Sequence, residues 1–579
     1  MIAKTKQKIL TPGEELPEWP VHGTTGYDFL HTVNQLLVHD RGVMQLGEFY
    51  ASVTGISGDW PTVLRRHKRK VTAELFNAET DRLTRQLEKL ASADRWGRDL
   101  APEALRAALI EVTASLGVYR TYIVGHPADW RDRRHIASAM DRAEKNRPHL
   151  SDALSFLGRV LTLDFPPGLP TVKQQAWLTF VKNWQQFTGP VMAKGGEDTA
   201  FYVYNRLVSL NDVGGDPTGP GLSPGEFHRF NRGRLARWPQ TMNATSTHDT
   251  KRSEDVRARI NVLSEIPDLW AQAVAKRLVR GRPVPEDNME YLFYQTLVGA
   301  WPLDPAQTPL FLKRLGAYLI KAAREAKRST DWFDPDAAYE RALQEFAATV
   351  LATGENNRFL PDFISFERIT AAWGYINALA QVLLKIASPG VPDFYQGTEL
   401  WDLSLVDPDN RRPVDFALRA RLLDEMRQAP AALTGELLSS WRDGRIKLYL
   451  IQKALHFRLA HRDLFAGGDY LPVAVSGPVE EHVCAFARRR AGEWALVAVP
   501  LHPALLHRND LTGPSFWPAD PVWKGNMLYL SKDAPGRWWN IFTGELLDAG
   551  SDRVLPLIEV FAGFPVALLT NRPGMEGSS

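Results

Sequence analysis

The order of apolar and polar positions divides the chain into three stretches with different periods. From about Gln45 to Leu161 apolar residues recur at helical spacing within charged, alanine-rich text. In AELFNAETDRLTRQLEKLAS, Leu75, Leu83, Leu87 and Leu90 fall at helical intervals, and PEALRAALIEVTASL repeats the theme. This predicts a helical subdomain. Within it, GVYRTYIV at 117–124 is expected as a short strand, because β-branched and aromatic residues follow a glycine. Between about 165 and 260 the text is irregular and glycine-rich, and long ordered loops in a compact enzyme usually carry function. A helix is predicted from about Ser253, with Glu254 and Asp255 in the first turn, where the helix dipole favours negative charge. Val256, Ile260 and Leu263 form its apolar stripe. Helices continue to about 385. After about 445, VCAFARRR, EWALVAVP and FPVALLTN are short apolar runs bounded by turn residues, as in an antiparallel sheet or sandwich.

Composition changes this picture only a little. At 579 residues the chain has room for roughly two to four folding units. Apolar residues at 44% and charged residues at 23% are ordinary for a globular protein. Lys plus Arg at 69 against Asp plus Glu at 67 leaves a formal charge of +2, so no basic field exists to attract nucleic acid. The one cysteine, Cys484, cannot form an internal disulfide or a cysteine metal cluster, which fits a reducing cytosol. The N-terminal text lacks a signal-peptide apolar run, and no membrane span is expected, so the location expected is cytoplasmic. Eighteen Trp, 15 Tyr and 26 Phe suit sugar rings, and equally suit a core.

Three segments hold candidate chemistry. In ATSTHDTKRSEDVRARI (244–260), Asp249 beside His248 could stabilise positive charge on a sugar ring, with Lys251 and Arg252 binding hydroxyls or keeping the carboxylate ionised. The same Thr and Asp residues would also serve as a helix-capping cluster. GVPDFYQGTEL (390–400) offers Tyr395, Gln396 and Glu399 from a turn that needs no ligand to explain it. VMAKGGEDTAFYVYNR (191–206) offers Lys194, Glu197 and Asp198 beside glycines that allow a close backbone approach, and it too reads as a surface loop when taken alone. No Walker loop, dinucleotide fingerprint or metal-ligand spacing is present.

Together with KILTPGEELPEWPVHGTTGYDFL (8–30) and ASPGVPDFYQGTELWDLSLVDPDNRRPVDF (387–416), these segments resemble maltooligosyl trehalose synthases. These are glucosylmutases of the α-amylase superfamily, which turn the reducing-end α-1,4 bond of a maltooligosaccharide into an α,α-1,1 bond. The resemblance covers nearly the whole chain. It implies an α/β fold: the C-terminal half of a (β/α)8 barrel with a helical insertion and a C-terminal antiparallel β domain, its site at the C-terminal ends of the strands. The divisions expected are a barrel segment at 1–44, the insertion at 45–165, the remaining barrel with its site loops at 166–440, and the β-rich domain at 441–579. It implies further that Asp249 is the third carboxylate of the site, that His248 binds a hydroxyl beside it, and that Lys194 and Lys251 hold the reducing-end glucose. Arg252, Tyr395 and Glu399 would complete the substrate pocket. No cofactor or metal is implied, and the partner is a maltodextrin.

The resemblance also marks a departure. A retaining mechanism needs a nucleophilic carboxylate and a general acid, about 5 Å apart. The family's acid is the Glu of a Val-Glu-Lys-Ile-Leu strand; the matching text here is KQKIL, and Gln7 stands where the Glu should be. Glutamine has no carboxyl proton to give. The nucleophile strand would fall upstream of residue 1. The expectation is therefore a site that binds sugar without the full catalytic set, as a maltodextrin-binding relative or as half of a split enzyme with a companion chain carrying the front of the barrel.

Overall fold

Helices form where the apolar spacing predicts them. The computed structural model describes residues 5–572 apart from 7, 57–58, 278–283, 356, 429–432, 509–510 and 512–520. Asp40–Thr54, Trp60–Ala73, Asn77–Ser92, Pro102–Ser115, Trp130–Asn146 and Ser151–Thr162 follow one another, and Thr171–Met192 closes the group. Pro102 opens its helix at a position whose N–H would have no intrahelical partner. Leu83, Leu87, Leu109, Val112, Leu157 and Trp184 are buried together in a core formed from Asn77 onward, whereas Val43, Leu46, Tyr50, Trp60 and Val63 of the first two helices belong to a second core shared with later helices.

The strand expected at 117–124 does not form. Side chains take its backbone groups instead: the Ile123 N–H donates to Gln185 Oε1 at 2.6 Å, the Ile123 carbonyl accepts from Gln185 Nε2 at 3.1 Å, and the Tyr122 N–H donates to Asp132 at 3.0 Å. Helices surround the segment, so its hydrogen bonds go to their side chains and not to a ladder.

Four strands of two residues each carry the loops of interest. Thr5–Lys6 pairs in parallel with Gly23–Thr24, and Met242–Asn243 pairs in parallel with Val391–Pro392. The Thr24 N–H donates to Thr241 Oγ1 at 3.0 Å and so joins the two pairs. Gly23 makes this approach possible: a Cβ there would lie 2.3 Å from the Cβ of Thr241.

The three C-terminal runs read as strands are strands. Val483–Arg490 pairs antiparallel with Glu493–Pro500 over its full length, and Ala567–Thr570 lies on the other side of Glu493–Pro500. They form the middle of a six-stranded sheet, beside which lies a three-stranded sheet of Ala474–Ser476, Met527–Tyr529 and Val554–Pro556. The chain is thus helix-rich with antiparallel sheets at its C-terminal end.

The helix Phe359–Ala387 joins these parts. By length and composition it could cross a membrane, yet nearly all of its apolar stretch is buried inside the protein. It packs against Glu254–Asn261, Arg445–Ala460 and Glu493–Pro500, and its core runs without a break into the sheet. Glu254 and Asp255 occupy the first turn that the sequence predicts, and cations from distant parts of the chain meet them there. Both are buried, and the Lys447 ammonium lies 2.8 Å from each of them, while Lys385 lies 3.3 Å from Glu254. The two lysines hold Glu254 well below the usual carboxylate range against the opposing effect of burial.

A histidine cluster sits where the sheet meets the first helices. His502 lies edge-on to His39 at 5.4 Å and to His482 at 5.8 Å. Burial, reinforced by His39 and His482, pushes the His502 imidazole down to about 3. Such a group binds fewer protons folded than unfolded, so its contribution to stability falls as pH drops below about 6.5. Between about pH 6.5 and 5 the loss from His502 alone should approach roughly 2 kcal/mol. Urea melts at the two pH values should show it, and His502→Asn, which tolerates the left-handed backbone there (φ 53°), should reduce it.

Candidate functional site

A widened helical turn builds the first part of the site. Thr171–Met192 runs on into a π-type turn, Ala193–Glu197, of the kind often found at functional positions. Gly195 lets this turn lie on the helix Trp60–Ala73, since a Cβ there would meet the Lys68 Cα at 2.7 Å. The turn leaves Lys194 half-exposed and buries Glu197.

The second part is the tight turn at 247–250. The Asp249 N–H donates to Thr247 Oγ1 at 3.1 Å, Thr250 Oγ1 donates to the Thr247 carbonyl at 2.9 Å, and Asn410 Nδ2 donates to the His248 carbonyl at 3.1 Å. Tyr27 hydrogen-bonds Thr247 Oγ1 at 3.1 Å. The following helix starts at Glu254 with Ser253 in the capping position, so Asp249 does not sit at its end. His248 is exposed and Asp249 is half-buried.

Lys251 links the two parts. Its ammonium is 3.0 Å from Asp198 and 4.0 Å from Glu197, and its side chain is only 6% exposed against 52% for Lys194, which pairs with Asp198 at 2.7 Å. Lys194 therefore can reach a ligand while keeping its ion pair, and Lys251 fixes the acids beneath it. Burial alone would depress the Lys251 ammonium, but Asp198, Tyr202 and Glu197 outweigh it and raise it. Asp198 is correspondingly held low by Lys251 and Lys194 against its own burial. Burial pushes Asp249 up, with Lys251 and His248 opposing.

The remaining sequence candidates stand elsewhere. Arg252 points into the core, donating to the Val208 carbonyl at 3.2 Å and to the Tyr318 hydroxyl at 2.9 Å. Glu399 pairs with Arg419 at 2.8 Å and accepts from the Gly397 N–H at 3.1 Å, which braces its own turn. Tyr395 is half-buried in that turn, and its carbonyl accepts from Thr398 Oγ1 at 2.7 Å. Gln7 lies outside the described residues. Among the described residues no group of three His, Cys, Asp or Glu side chains could hold a metal ion.

Two contributors were not legible in the sequence. Tyr119, from the stretch misread as a strand, donates to Glu197 and accepts from the Gly214 N–H at 3.0 Å. Asp212 accepts from the Lys251 N–H at 3.2 Å and pairs with buried Arg257 at 3.1 Å. Neither has a local motif; the glycine-rich text at 213–215 is the only cue near Asp212.

Glu197 gives the cluster a group that titrates near neutrality. Burial lifts its carboxyl to about 7, against the opposing effects of Lys251 and the Tyr119 hydroxyl. Infrared difference spectra between about pH 6 and 8 should therefore show a buried carboxylic acid losing its proton. Glu197→Gln should diminish that signal, the remainder coming from Glu265, which burial lifts to about 8; an unchanged signal would mean that Glu197 does not titrate there.

No family model matches the chain. The solved maltooligosyltrehalose synthase of Arthrobacter ramosus is 34% identical and superposes with a TM-score of 0.80, covering 97% of this chain and 65% of that one. The chain is similar along nearly its whole length to proteins named as maltooligosyl trehalose synthases. A Mycobacterium tuberculosis protein provisionally named as a maltooligosyl trehalose synthase is 34% identical over 570 residues, again 97% of this chain and 65% of its own length. A solved protein of Sulfolobus tokodaii, titled a hypothetical maltooligosyl trehalose synthase, is 29% identical with a TM-score of 0.71, over 98% of this chain and 65% of that one. The chain thus spans 65% of the length of these maltooligosyl trehalose synthases, and it matches them along nearly all of its own.

Proposed function

We propose that this chain carries the reducing-end glucose site of a maltooligosyl trehalose synthase type of glucosylmutase. The observation that carries this reading is Lys251, buried against Asp198 and Glu197, with solvent-reaching Lys194 and half-buried Asp249 around it. Such a set can hold several sugar hydroxyls at once, the ammonium groups donating and the carboxylates accepting. Asp249 would supply the negative charge that an oxocarbenium-like ring needs, and His248 would give a further hydroxyl contact. The four short parallel strands are read as the last four of a (β/α)8 barrel; their parallel pairing and the Thr24–Thr241 bond support this. Cytoplasmic location is part of the same reading, consistent with a lone, buried Cys484.

In the reaction, an isomerisation, the reducing-end glycosidic bond is cleaved with retention through a covalent glycosyl-enzyme, and the freed glucose turns and reattacks through its anomeric hydroxyl. The glucose must stay bound while water is excluded, or hydrolysis wins. Lys194 supplies the retention directly, and Lys251 through the carboxylates it holds in place. Gln7 cannot supply the proton for the leaving oxygen. The isolated chain is therefore proposed to bind maltodextrin without turning it over.

Maltohexaose tests both parts. Titration calorimetry should show binding, and an assay that follows reducing ends separately from free glucose should show neither lost nor gained. Loss of reducing ends without glucose release would overturn the reading of Gln7. Absence of binding by a folded chain would overturn the site.

A further inference from the structure

A second cavity, of about 540 Å³, lies between the 8–17 loop and the helical group, lined by the irregular 117–122 segment and the helix Trp130–Asn146. Its size is that of a small-molecule pocket. Five cations line it against three carboxylates, and the pairing makes the imbalance sharper than the count.

Each carboxylate already has a partner. Glu14 is paired with buried Lys8, Glu15 with Arg237 from outside the cavity at 3.0 Å, and Asp132 accepts the Tyr122 N–H at 3.0 Å. The four arginines have no carboxylate partner among the described residues. Arg142 donates to the Ser115 carbonyl at 2.8 Å and to Ser138 Oγ at 2.8 Å, both neutral acceptors. Arg120 donates to Gln186 Oε1 at 2.7 Å, and its buried Nε has no partner. Arg131 likewise has a buried Nε with no partner among the described residues, and Arg134 is exposed to solvent. Guanidinium groups gathered on one cavity without carboxylate partners give it a positive field that favours an anion. Two rings stand with them: Arg120 lies over Tyr122 at 5.3 Å and Arg131 over the exposed Trp130 at 5.4 Å.

We propose that this cavity binds a phosphate-bearing small molecule, a sugar phosphate in particular. Guanidinium forks match phosphate oxygens in pairs, and the exposed Trp130 face offers stacking for a sugar ring. The site is separate from the Lys194–Lys251 cluster, although the segment that lines it with Arg120 and Tyr122 also carries Tyr119, which reaches Glu197.

The test is calorimetry and thermal shift on the full chain with glucose 6-phosphate, inorganic phosphate and glucose. Saturable binding of glucose 6-phosphate is expected, weakened at least about tenfold by Arg134→Gln and by Arg120→Gln. Arg134 is exposed, so its substitution should leave the melting temperature unchanged. Arg229→Gln, at an exposed helix position outside the cavity lining, should leave binding unchanged. Tighter binding of glucose 6-phosphate than of phosphate supports ring recognition, and equal binding supports the anion site with free phosphate as its ligand. Absence of saturable binding by either phosphate compound would overturn the proposal. So would equal binding of glucose, or binding that both arginine variants leave intact.

Discussion

Lys447→Met should destabilise the protein by about 3–5 kcal/mol, the range for breaking a buried ion pair from one side. The Lys447 ammonium is fully buried and contacts both oxygens of Asp255, at 2.9 and 2.8 Å, as well as Glu254. Removing it leaves Asp255 without a cation, whereas Glu254 keeps Lys385. Asp255 would then be forced to take up a proton, so the penalty should shrink as pH falls. Adding Asp255→Asn should restore most of the loss, because the amide oxygen can still accept the Asp402 N–H that Asp255 now accepts at 2.8 Å. Urea denaturation of the single and double variants at two pH values checks both statements. A single-variant cost below about 1 kcal/mol would mean that water reaches the network. The network also matters to the site above it. Glu254 accepts from Thr245 Oγ1, just before the 247–250 turn, and Ser253 donates to the Asp402 carbonyl.

Lys251→Met should weaken maltohexaose binding about 100-fold, close to 2.7 kcal/mol, while Lys194→Gln should weaken it about tenfold. The difference follows from burial. Lys194 contributes one solvent-exposed donor and an ion pair in high dielectric. Lys251 holds Asp198 and Glu197 together, and without it two adjacent carboxylates face each other near Asp249. Glu197, already raised to about 7, would then stay protonated at neutral pH and turn from acceptor to donor. Calorimetry on both variants, with melting temperatures measured alongside, separates lost contacts from lost folding. Equal effects of the two substitutions would contradict the division between a reaching lysine and a fixing one.

Local pattern carried some elements and failed at others for identifiable reasons. Pro102–Ser115 was legible from apolar residues at helical spacing, and Val483–Arg490, which is buried on both faces, from a short apolar run bounded by turn residues. The 117–124 segment has strand-like composition, but Gln185 and Asp132 side chains, 62 and 10 residues away, take its hydrogen bonds. Glu254 and Asp255 matched the dipole rule for a helix start, and no local signal could announce that Lys447, 192 residues beyond Asp255, would be buried against them. The Lys194, Asp198 and Lys251 grouping follows segments that a family resemblance brings together. Tyr119 could not be found that way, since its role depends on how the helical group docks.

The helix Phe359–Ala387 also sets a condition on how the chain is made. Its apolar surface is covered in part by Glu493–Pro500, a strand that leaves the ribosome more than a hundred residues later. At about 5–20 residues per second, that helix waits on the order of ten seconds for its cover. During that interval the nascent chain displays a segment apolar enough to be taken for a membrane span, so its yield in the cell should depend on what shields it until the last sheet is synthesised.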